Sequence, residues 1–393
     1  MTWNFDEQID RSAQNSIKWG YSKRLFGDEA VLPMWIADMD FANSPLILDA
    51  LKKIMDQRII GYAFPPDSLY QAIIDWQKKR HNLQLTPKDI LFSPGVVPSI
   101  ALLIQTFTNE QETVMIHDPV YTPFENMITL NNRKVIRSSL IIEDGLFKMD
   151  FIDIEQQFIE KNVKLFILSN PHNPGGRVWN KQELAQLADL CQKYHVVLCS
   201  DEIHGDLIYQ PHEFISVATI KEQYKDFVIT LTAATKTFNL AGIKNSMIFV
   251  QNEELRNALV VAQAKTEQNG INTFGYAATE AAFATSESWL EELMVYLKNN
   301  LDTICTFFDT ELPEVFYMRP QGTYLLWFDC SSLNIPDKQL ANHFAQVGKI
   351  GLNAGSDYGP SGTNYMRLNF AAPHETVVEG LKRIKYAFEH PKG

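Results

Sequence analysis

Residues 227–242 read FVITLTAATKTFNLAG, a short apolar run followed by small residues around Lys236. The run Phe227–Leu231 predicts a buried strand. A lysine in a small-residue loop at a strand end can reach into a pocket, where desolvation lowers its pKa and makes the amine a nucleophile toward carbonyls. The same sequence is also typical of a solvent-exposed lysine in a loop. Whether Lys236 is a nucleophile therefore has to be judged from the surrounding sequence.

Similar runs occur from about residue 89 onward. They are short, apolar and mostly non-alternating, as expected for parallel strands covered on both faces. The runs are Ile90–Ser93, Thr113–His117, Val163–Ser169, Val196–Ser200 and Met247–Val250. Helical stretches separate them, and Asn180 with Glu183 forms a capping pair before one of these. The alternation predicts an α/β fold whose large domain has a mostly parallel, doubly wound sheet.

The C-terminal part predicts a smaller α+β domain. The strand-like runs Gly322–Asp329 and Tyr365–Phe370 lie among helices, and Pro373 opens a last amphipathic helix. We expect residues 1–48 to form an N-terminal arm and part of the small domain, residues 49–284 the large domain, and residues 285–393 the C-terminal small domain. Ligands of such proteins bind beyond the carboxyl ends of the strands or between domains.

The overall charge excludes some classes of partner. The 393 residues include 47 acidic and 35 basic side chains, for a net charge of −12. Nucleic acids and anionic membranes both need a positive face, so neither is an expected partner. No apolar run approaches the roughly 20 residues of a membrane span. The four cysteines show no CxxC spacing and the start shows no targeting pattern, so we expect a reduced, cytoplasmic protein without a metal centre.

Two motifs before Lys236 carry polar side chains at strand ends. Asp201, in SDEIH at 200–204, lies 35 residues before the lysine and could pair with a protonated ring nitrogen, although a helix cap is the alternative. Asn173, in SNPHNPGGR at 169–177, lies between two prolines and offers a fixed donor to a ligand oxygen, while the prolines and glycines also suit a turn.

A third motif, SPGVVPS at 93–99, follows the first strand and opens a helix. Backbone N–H groups at such a helix start bind phosphate. A plain strand–turn–helix connection has the same sequence, so this motif gains meaning only beside the others.

Together these elements resemble the fold-type I pyridoxal-phosphate enzymes, the aspartate aminotransferase superfamily, and within it the cystathionine β-lyase (C–S lyase) branch. The resemblance spans essentially the whole chain. It is carried by the following segments: LPMWIADMDF at 32–41, Gly61-Tyr62, Ser200–His204, Lys236–Gly242, NAGSDYG at 353–359 and MRLNFA at 366–371.

The resemblance implies pyridoxal 5′-phosphate (PLP) as cofactor. Lys236 would carry it covalently, Asp201 would pair with its pyridine nitrogen, and Tyr121 would stack on its ring. Asn173 would bond the ring 3-hydroxyl oxygen, with His204 close to it.

The remaining implied contacts involve phosphate and substrate. The amides of Val96 and Val97 would hold the phosphate, which Tyr62 would reach from the other subunit of a homodimer, so that the site is shared. Arg367 would grip the α-carboxylate of an amino-acid substrate bidentately, helped by the backbone at Ala37. A surface ion pair is the other interpretation of the arginine.

The implied activity is α,β-elimination from L-cystathionine or a related S-substituted cysteine, with Lys236, Tyr121 and Asp201 as catalytic residues. Transamination is the alternative enzyme reaction. A PLP-binding regulator would need an N-terminal DNA-binding domain, for which the motifs leave no room, and a nicotinamide oxidoreductase would need GxGxxG after its first strand. Members of the superfamily often have a phosphate-binding side chain at Ala233 and an arginine at Lys244, and the role of Lys244 stays open.

Overall fold

The computed structural model describes residues 3–11 and 13–391. The outermost residues of the predicted arm and last domain (1, 2, 392 and 393), together with Ser12, lie outside the described residues. The α-helices, α1 to α14 in chain order, are Ile17–Gly20, Ser22–Phe26, Pro45–Asp56, Asp67–His81, Val96–Phe107, Pro123–Leu130, Phe151–Lys161, Lys181–Lys193, Ala234–Thr237, Glu253–Thr266, Thr273–Thr285, Glu287–Glu311, Asp337–Gln346 and His374–Glu389.

The strands are numbered β1 to β15 in the same way. They are Leu32–Pro33, Ile90–Ser93, Thr113–Asp118, Lys134–Ser139, Ile141–Glu143, Leu146–Lys148, Val163–Ser169, Val197–Asp201, Val228–Thr232, Ser246–Phe249, Tyr317–Met318, Leu325–Asp329, Ile350–Gly351, Asn353–Ala354 and Tyr365–Asn369.

The large sheet has seven strands in the order β2-β10-β9-β8-β7-β3-β4. Its central strands are buried on both faces. Every residue of β9 is buried, because α5 and the 3-10 turns at Val217–Thr219 and Glu222–Asp226 pack against it. The capping pair at Asn180 is present as a full capping box with Glu183 at the start of α8. The predicted α/β class with a mostly parallel sheet is confirmed.

One expectation about this sheet is wrong, and one of its strands was not predicted. The run Met247–Val250 is not a parallel strand: β10 pairs antiparallel with both β2 and β9. A parallel return needs a full crossover, usually a helix of several turns, whereas residues 233–245 contain only the short helix α9 and a 3-10 turn. Strand β4 was missed because it lies at the sheet edge, where the exposed Lys134 and the partly buried Arg137 break the apolar run.

The smaller sheet is antiparallel, in the order β11-β12-β15-β14. The run at 322–329 becomes a strand only from Leu325, because Thr323 has a left-handed φ of 68°. Helix α14 begins after Pro373 as expected and buries Val377, Leu381 and Ile384. The exact domain boundaries stay a prediction.

A short parallel pair joins the N-terminal part to the small domain, since β1 pairs with β13. The chain that follows β1, residues 34–41, belongs to no strand or helix. It runs between the small sheet and the segment that contains Lys236. None of the helices formed by residues 3–11 and 13–391 is long and apolar enough to cross a membrane.

Candidate active site

One cavity of about 330 Å³ opens at the carboxyl ends of the parallel strands. Eight of the predicted site residues line it: Ala37, Val96, Val97, Tyr121, Asn173, Asp201, His204 and Lys236. Seven of them lie at or just after the ends of strands of the large sheet that run in the same direction and so end at the same edge, whereas Ala37 lies in the chain after β1. The strand ends themselves are Ser93, Asp118, Ser169, Asp201 and Thr232.

Lys236 lies in the one-turn helix α9 rather than in the expected loop. Its Nζ donates a hydrogen bond to the carbonyl oxygen of Ala37 at 2.5 Å. Burial, reinforced by the positive charge of Arg367, lowers the pKa of Lys236 to about 8, against the opposing effect of nearby carboxylates. A substantial fraction of the amine is therefore unprotonated near neutral pH, as a nucleophile toward carbonyls requires.

Asp201 ends β8 as a buried carboxyl group. Burial raises its pKa to about 7, the neighbouring Glu202 adds to the effect, and the hydrogen bond from the backbone N–H of Ile203 at 3.2 Å opposes it. A nearby cation favours the charged form of a buried carboxyl group. The site therefore suits a ligand that brings a protonated nitrogen to this carboxyl group.

His204 lies beside this carboxyl group on the same turn and is neutral, since burial holds its pKa well below the ordinary value. Its ring meets the ring of Tyr324 edge-on, with centroids 5.9 Å apart. Within the described residues its Nδ1 atom is buried without a hydrogen-bond partner.

Arg367 is 4% exposed, belongs to β15 of the small sheet and contacts the cavity through Asn173, which lines it. Its Nη1 donates to Oδ1 of Asn173 at 3.0 Å, and its Nη2 donates to Oδ1 of Asn353 and to the Trp35 carbonyl, both at 2.8 Å. Its guanidinium also lies over the ring of Tyr358, 5.0 Å from the centroid. The alternative of a surface ion pair is thereby excluded.

The start of α5 forms the remaining wall. The first amides of a helix have no partner within the helix, so those of Val96 and Val97 are available to an anion in the cavity. Lys244, whose role the sequence left open, lines the same cavity. It adds a basic side chain that suits a phosphate group.

These features test whether PLP fits. The site combines a buried carboxyl group for a pyridine nitrogen, a helix start with a lysine for a phosphate, and an amine of lowered pKa for an aldehyde. Asn173 has its Oδ1 occupied by Arg367, which leaves its NH₂ group to donate to a ring oxygen. The residues therefore fit the cofactor.

Two predicted site residues, Arg367 and Tyr62, do not line this cavity: Arg367 contacts it through Asn173, whereas Tyr62 lies away from it. Tyr62 is fully exposed, in a segment whose apolar side chains Ile59, Ile60 and Phe64 are also mostly exposed. Its predicted role depends on a second subunit and stays a prediction.

Sequence reasoning missed two residues that contribute to the hydrogen bonds of the site. Tyr324 donates through its hydroxyl to the Ala37 carbonyl at 3.1 Å, and its only sequence signal is a position in a strand-like run. Asn353 lies within the motif quoted for the resemblance, but nothing in that motif alone pairs it with Arg367.

Both the fold and this cavity define the class of protein: an α/β enzyme of the fold-type I PLP architecture. The match to the aminotransferase class I and II description covers residues 32–384. The chain belongs to that family.

Three relatives illustrate the similarity. The chain is 38% identical to the cystathionine β-lyase PatB of Bacillus subtilis (strain 168), over 98% of this chain and 99% of that protein. A PLP-bound structure from Clostridium difficile 630, provisionally described as an aminotransferase, matches at 42% identity and a TM-score of 0.96 over 98% and 100% of the two chains. The PLP-bound C–S lyase of Staphylococcus hominis matches at 32% identity and a TM-score of 0.93 over 99% and 98%.

Proposed function

We propose that this protein is a PLP-dependent carbon–sulfur β-lyase that acts on L-cystathionine or a related S-substituted cysteine. The reaction consumes one water, and the products are a thiol (homocysteine from L-cystathionine), pyruvate and ammonia. The observation that carries the choice of reaction is the full-length similarity to the cystathionine β-lyase of Bacillus subtilis. The cavity supports it, because it brings an amine of lowered pKa and a buried arginine to one site.

Arg367 is proposed to bind the α-carboxylate of the substrate. Its planar guanidinium suits bidentate binding of a carboxylate, and the backbone at Ala37 lies on the same cavity wall. Its contacts to Asn173 and Asn353 fix the plane of the group before substrate arrives. The α-hydrogen is thereby oriented toward Lys236.

Asp201, Asn173 and Tyr121 are proposed to hold the cofactor ring. Asp201 in its ionised form keeps a proton on the pyridine nitrogen, Asn173 donates to the ring oxygen, and Tyr121 lies on the cavity wall where its ring can stack. When bound, PLP supplies an electron sink for the electron pair left at the substrate α-carbon. Amides of Val96 and Val97, with Lys244, hold the phosphate, and His204 packs beside the ring.

Lys236 is proposed to move the proton. Its free amine takes the α-hydrogen at Nζ, the C–S bond breaks, and the sulfur leaves with the bonding electron pair. The ammonium of Lys236, with a pKa near 8, then returns the proton to a thiolate whose ordinary pKa is about 8.5. Burial raises the pKa of Tyr121, which makes its hydroxyl a poorer donor for this step than the lysine.

Transamination is the second candidate. The similarity to the Clostridium difficile structure favours it, since that protein is provisionally described as an aminotransferase. The two reactions share the proton removal by Lys236 and differ in where the proton goes next, to sulfur or to the cofactor.

Product analysis separates them. Purified, PLP-loaded protein is incubated with L-cystathionine while pyruvate, ammonia and thiol are quantified and the visible spectrum is followed. A lyase gives the three products in equal amounts and keeps its spectrum. Conversion of the cofactor to its pyridoxamine form, reversed by an added keto acid, would establish the aminotransferase instead.

A homodimer with a shared site also belongs to this proposal. Tyr62 and its exposed apolar neighbours are the support, because a monomer in water rarely leaves such a patch uncovered. The cytoplasm is the proposed location, supported by four cysteines that are all free and buried.

A further inference from the structure

The backbone carbonyl groups of the chain after β1 find their hydrogen-bond partners in an unusual way. Residues 34–41 belong to no ladder, yet buried backbone carbonyls are nearly always paired. The five carbonyl oxygens of residues 35–39, named here the carbonyl strip, each accept a hydrogen bond from a side chain. The position of the strip therefore depends on the side chains that bind it.

Two of these side chains come from the small sheet. Arg367 binds the carbonyl of Trp35 at 2.8 Å. Asn369 donates through Nδ2 to the carbonyls of Ile36 and Asp38, both at 2.7 Å. The two donors are two residues apart on β15 and so point to the same face of the sheet.

The hydroxyl of Tyr324 also donates to the Ala37 carbonyl at 3.1 Å. Lys18 and Arg11 donate to the Asp38 and Met39 carbonyls at 3.3 and 3.5 Å.

Two more side chains come from the lysine segment. Lys236 binds the Ala37 carbonyl at 2.5 Å. Asn239 donates to the carbonyl of Met39 at 3.1 Å and accepts from its N–H at 3.0 Å, as the backbone of a neighbouring strand would. Asn239 has a left-handed φ of 56°, which asparagine tolerates better than most residues.

We propose that Asn239 and Asn369 are positioning residues that hold the carbonyl strip where the lysine amine and the substrate-binding guanidinium both reach it. The strip then sets the distance between the proton-transfer group and the carboxylate-binding group, which come from different sheets. This inference rests on the proposed role of Lys236. It assigns to the two asparagines a positioning role, in which they act through the strip and not on the reacting atoms themselves.

The physical consequence is specific. Without the bonds from Asn239, the strip is released at Met39, two residues from Ala37, and the Ala37 carbonyl is held less firmly opposite the amine, although Tyr324 still binds it. The ammonium form of Lys236 then has a weaker hydrogen-bond acceptor. An acceptor stabilises the charged form, so its weakening lowers the pKa of the lysine further. A displacement of about 1 Å at a reacting group can reduce the rate about 100-fold.

The variants are chosen so that they change no charge and introduce no backbone strain. Asn239→Gly removes the amide and keeps the left-handed conformation without cost. Asn369→Ala removes the two hydrogen bonds that Asn369 donates to the carbonyls of Ile36 and Asp38. The matched control is Asn300→Ala: Asn300 is equally buried, donates to the Ala372 carbonyl at 2.9 Å, and does not touch the carbonyl strip.

The first readout uses cofactor-free protein. Trace acetic anhydride labels Lys236 at a series of pH values, and peptide mass spectrometry gives the pH midpoint of labelling. We expect the midpoint to fall in Asn239→Gly and in Asn369→Ala, and to stay at the wild-type value in Asn300→Ala. If Asn239→Gly does not fold, Asn369→Ala carries the same test.

The second readout uses the loaded enzyme. We expect Asn239→Gly to lower kcat about 10- to 100-fold with little change in KM, and Asn369→Ala to raise KM as well, because it lies beside Arg367. Unshifted midpoints in both strip variants, or equal shifts in the control, would overturn the proposal. Labelling needs no turnover, so a shifted midpoint in a protein that does not cleave L-cystathionine would refute the proposed function and leave this inference standing.

Discussion

The two walls of the cavity are built in different ways. The wall at the sheet edge consists of side chains at or just beyond the ends of buried strands, such as Asp201 at the end of β8 and Asn173 in the turn after β7. The other wall contains Ala37 of the carbonyl strip, which belongs to no ladder and is held by side chains, among them Lys236 and Arg367 from distant parts of the sequence. A sheet edge positions groups through the fold, whereas the strip is positioned through individual hydrogen bonds.

This difference predicts different responses to substitution. A change at the sheet edge should remove one chemical function and leave the rest of the site in place. A change that disturbs the strip should alter the groups on both sides of it.

The largest expected effect is at the sheet edge. Lys236→Ala should retain PLP, since the helix start and Asp201 remain, and should lose at least about 10³-fold in turnover because a positioned base is missing. Activity assays and the spectrum of the purified variant check this. Lys221→Ala, which removes a surface lysine paired with Asp189, is the control, and near-normal activity in Lys236→Ala would refute the assignment.

Arg367→Lys tests the junction of the two walls. Lysine keeps the charge but loses the bidentate geometry and the contacts to Asn173 and the Trp35 carbonyl. We expect KM for the amino acid to rise about 10- to 100-fold, with a smaller fall in kcat. Arg383→Lys, a partly exposed pair with Glu379, should leave both constants unchanged. An unchanged KM in Arg367→Lys would remove the arginine from the substrate site.

The pH dependence of cofactor uptake is expected to be moderate. In cofactor-free protein Asp201 titrates near pH 7 and Lys236 near pH 8, and each must lose its proton before it can engage the cofactor as proposed. The association rate of PLP should therefore rise from about pH 6 and level off only above about pH 9, one unit beyond the pKa of Lys236. Stopped-flow absorbance measures it. Asp201→Asn should flatten the lower part of the profile, and a flat wild-type profile would contradict the account.

The smallest effect is expected at Tyr62. Tyr62→Phe removes one donor to the phosphate, so we expect PLP affinity to fall about 3- to 10-fold, as for one hydrogen bond of about 1 kcal/mol. Equilibrium dialysis gives the affinity. Sedimentation should show a dimer for wild type and variant alike, and a monomeric wild-type protein would remove the shared site.

The sequence predicted the sheet-edge wall because each of its residues follows an apolar run. Lys236, Asp201 and Asn173 could be located from strand ends, since parallel strands place their carboxyl ends together. The direction of β10 could not be predicted, because apolar burial looks the same in a parallel and an antiparallel strand.

The strip side of the site was harder to predict. The resemblance pointed to Arg367 and Ala37 as residue types in motifs, but the bonds of Asn239 and Asn369 join segments that no periodicity connects. Contacts of this kind are decided by tertiary packing, and local sequence patterns contain no record of them.

The most direct test of the central claim, that Lys236 moves the α-proton, follows that proton itself. PLP-loaded wild type and Lys236→Ala are incubated in D₂O with L-alanine, which has no β-substituent to lose, and NMR follows the α-hydrogen. The account predicts deuterium at the α-carbon with wild type and none above background with the variant. Equal exchange by both proteins would contradict it.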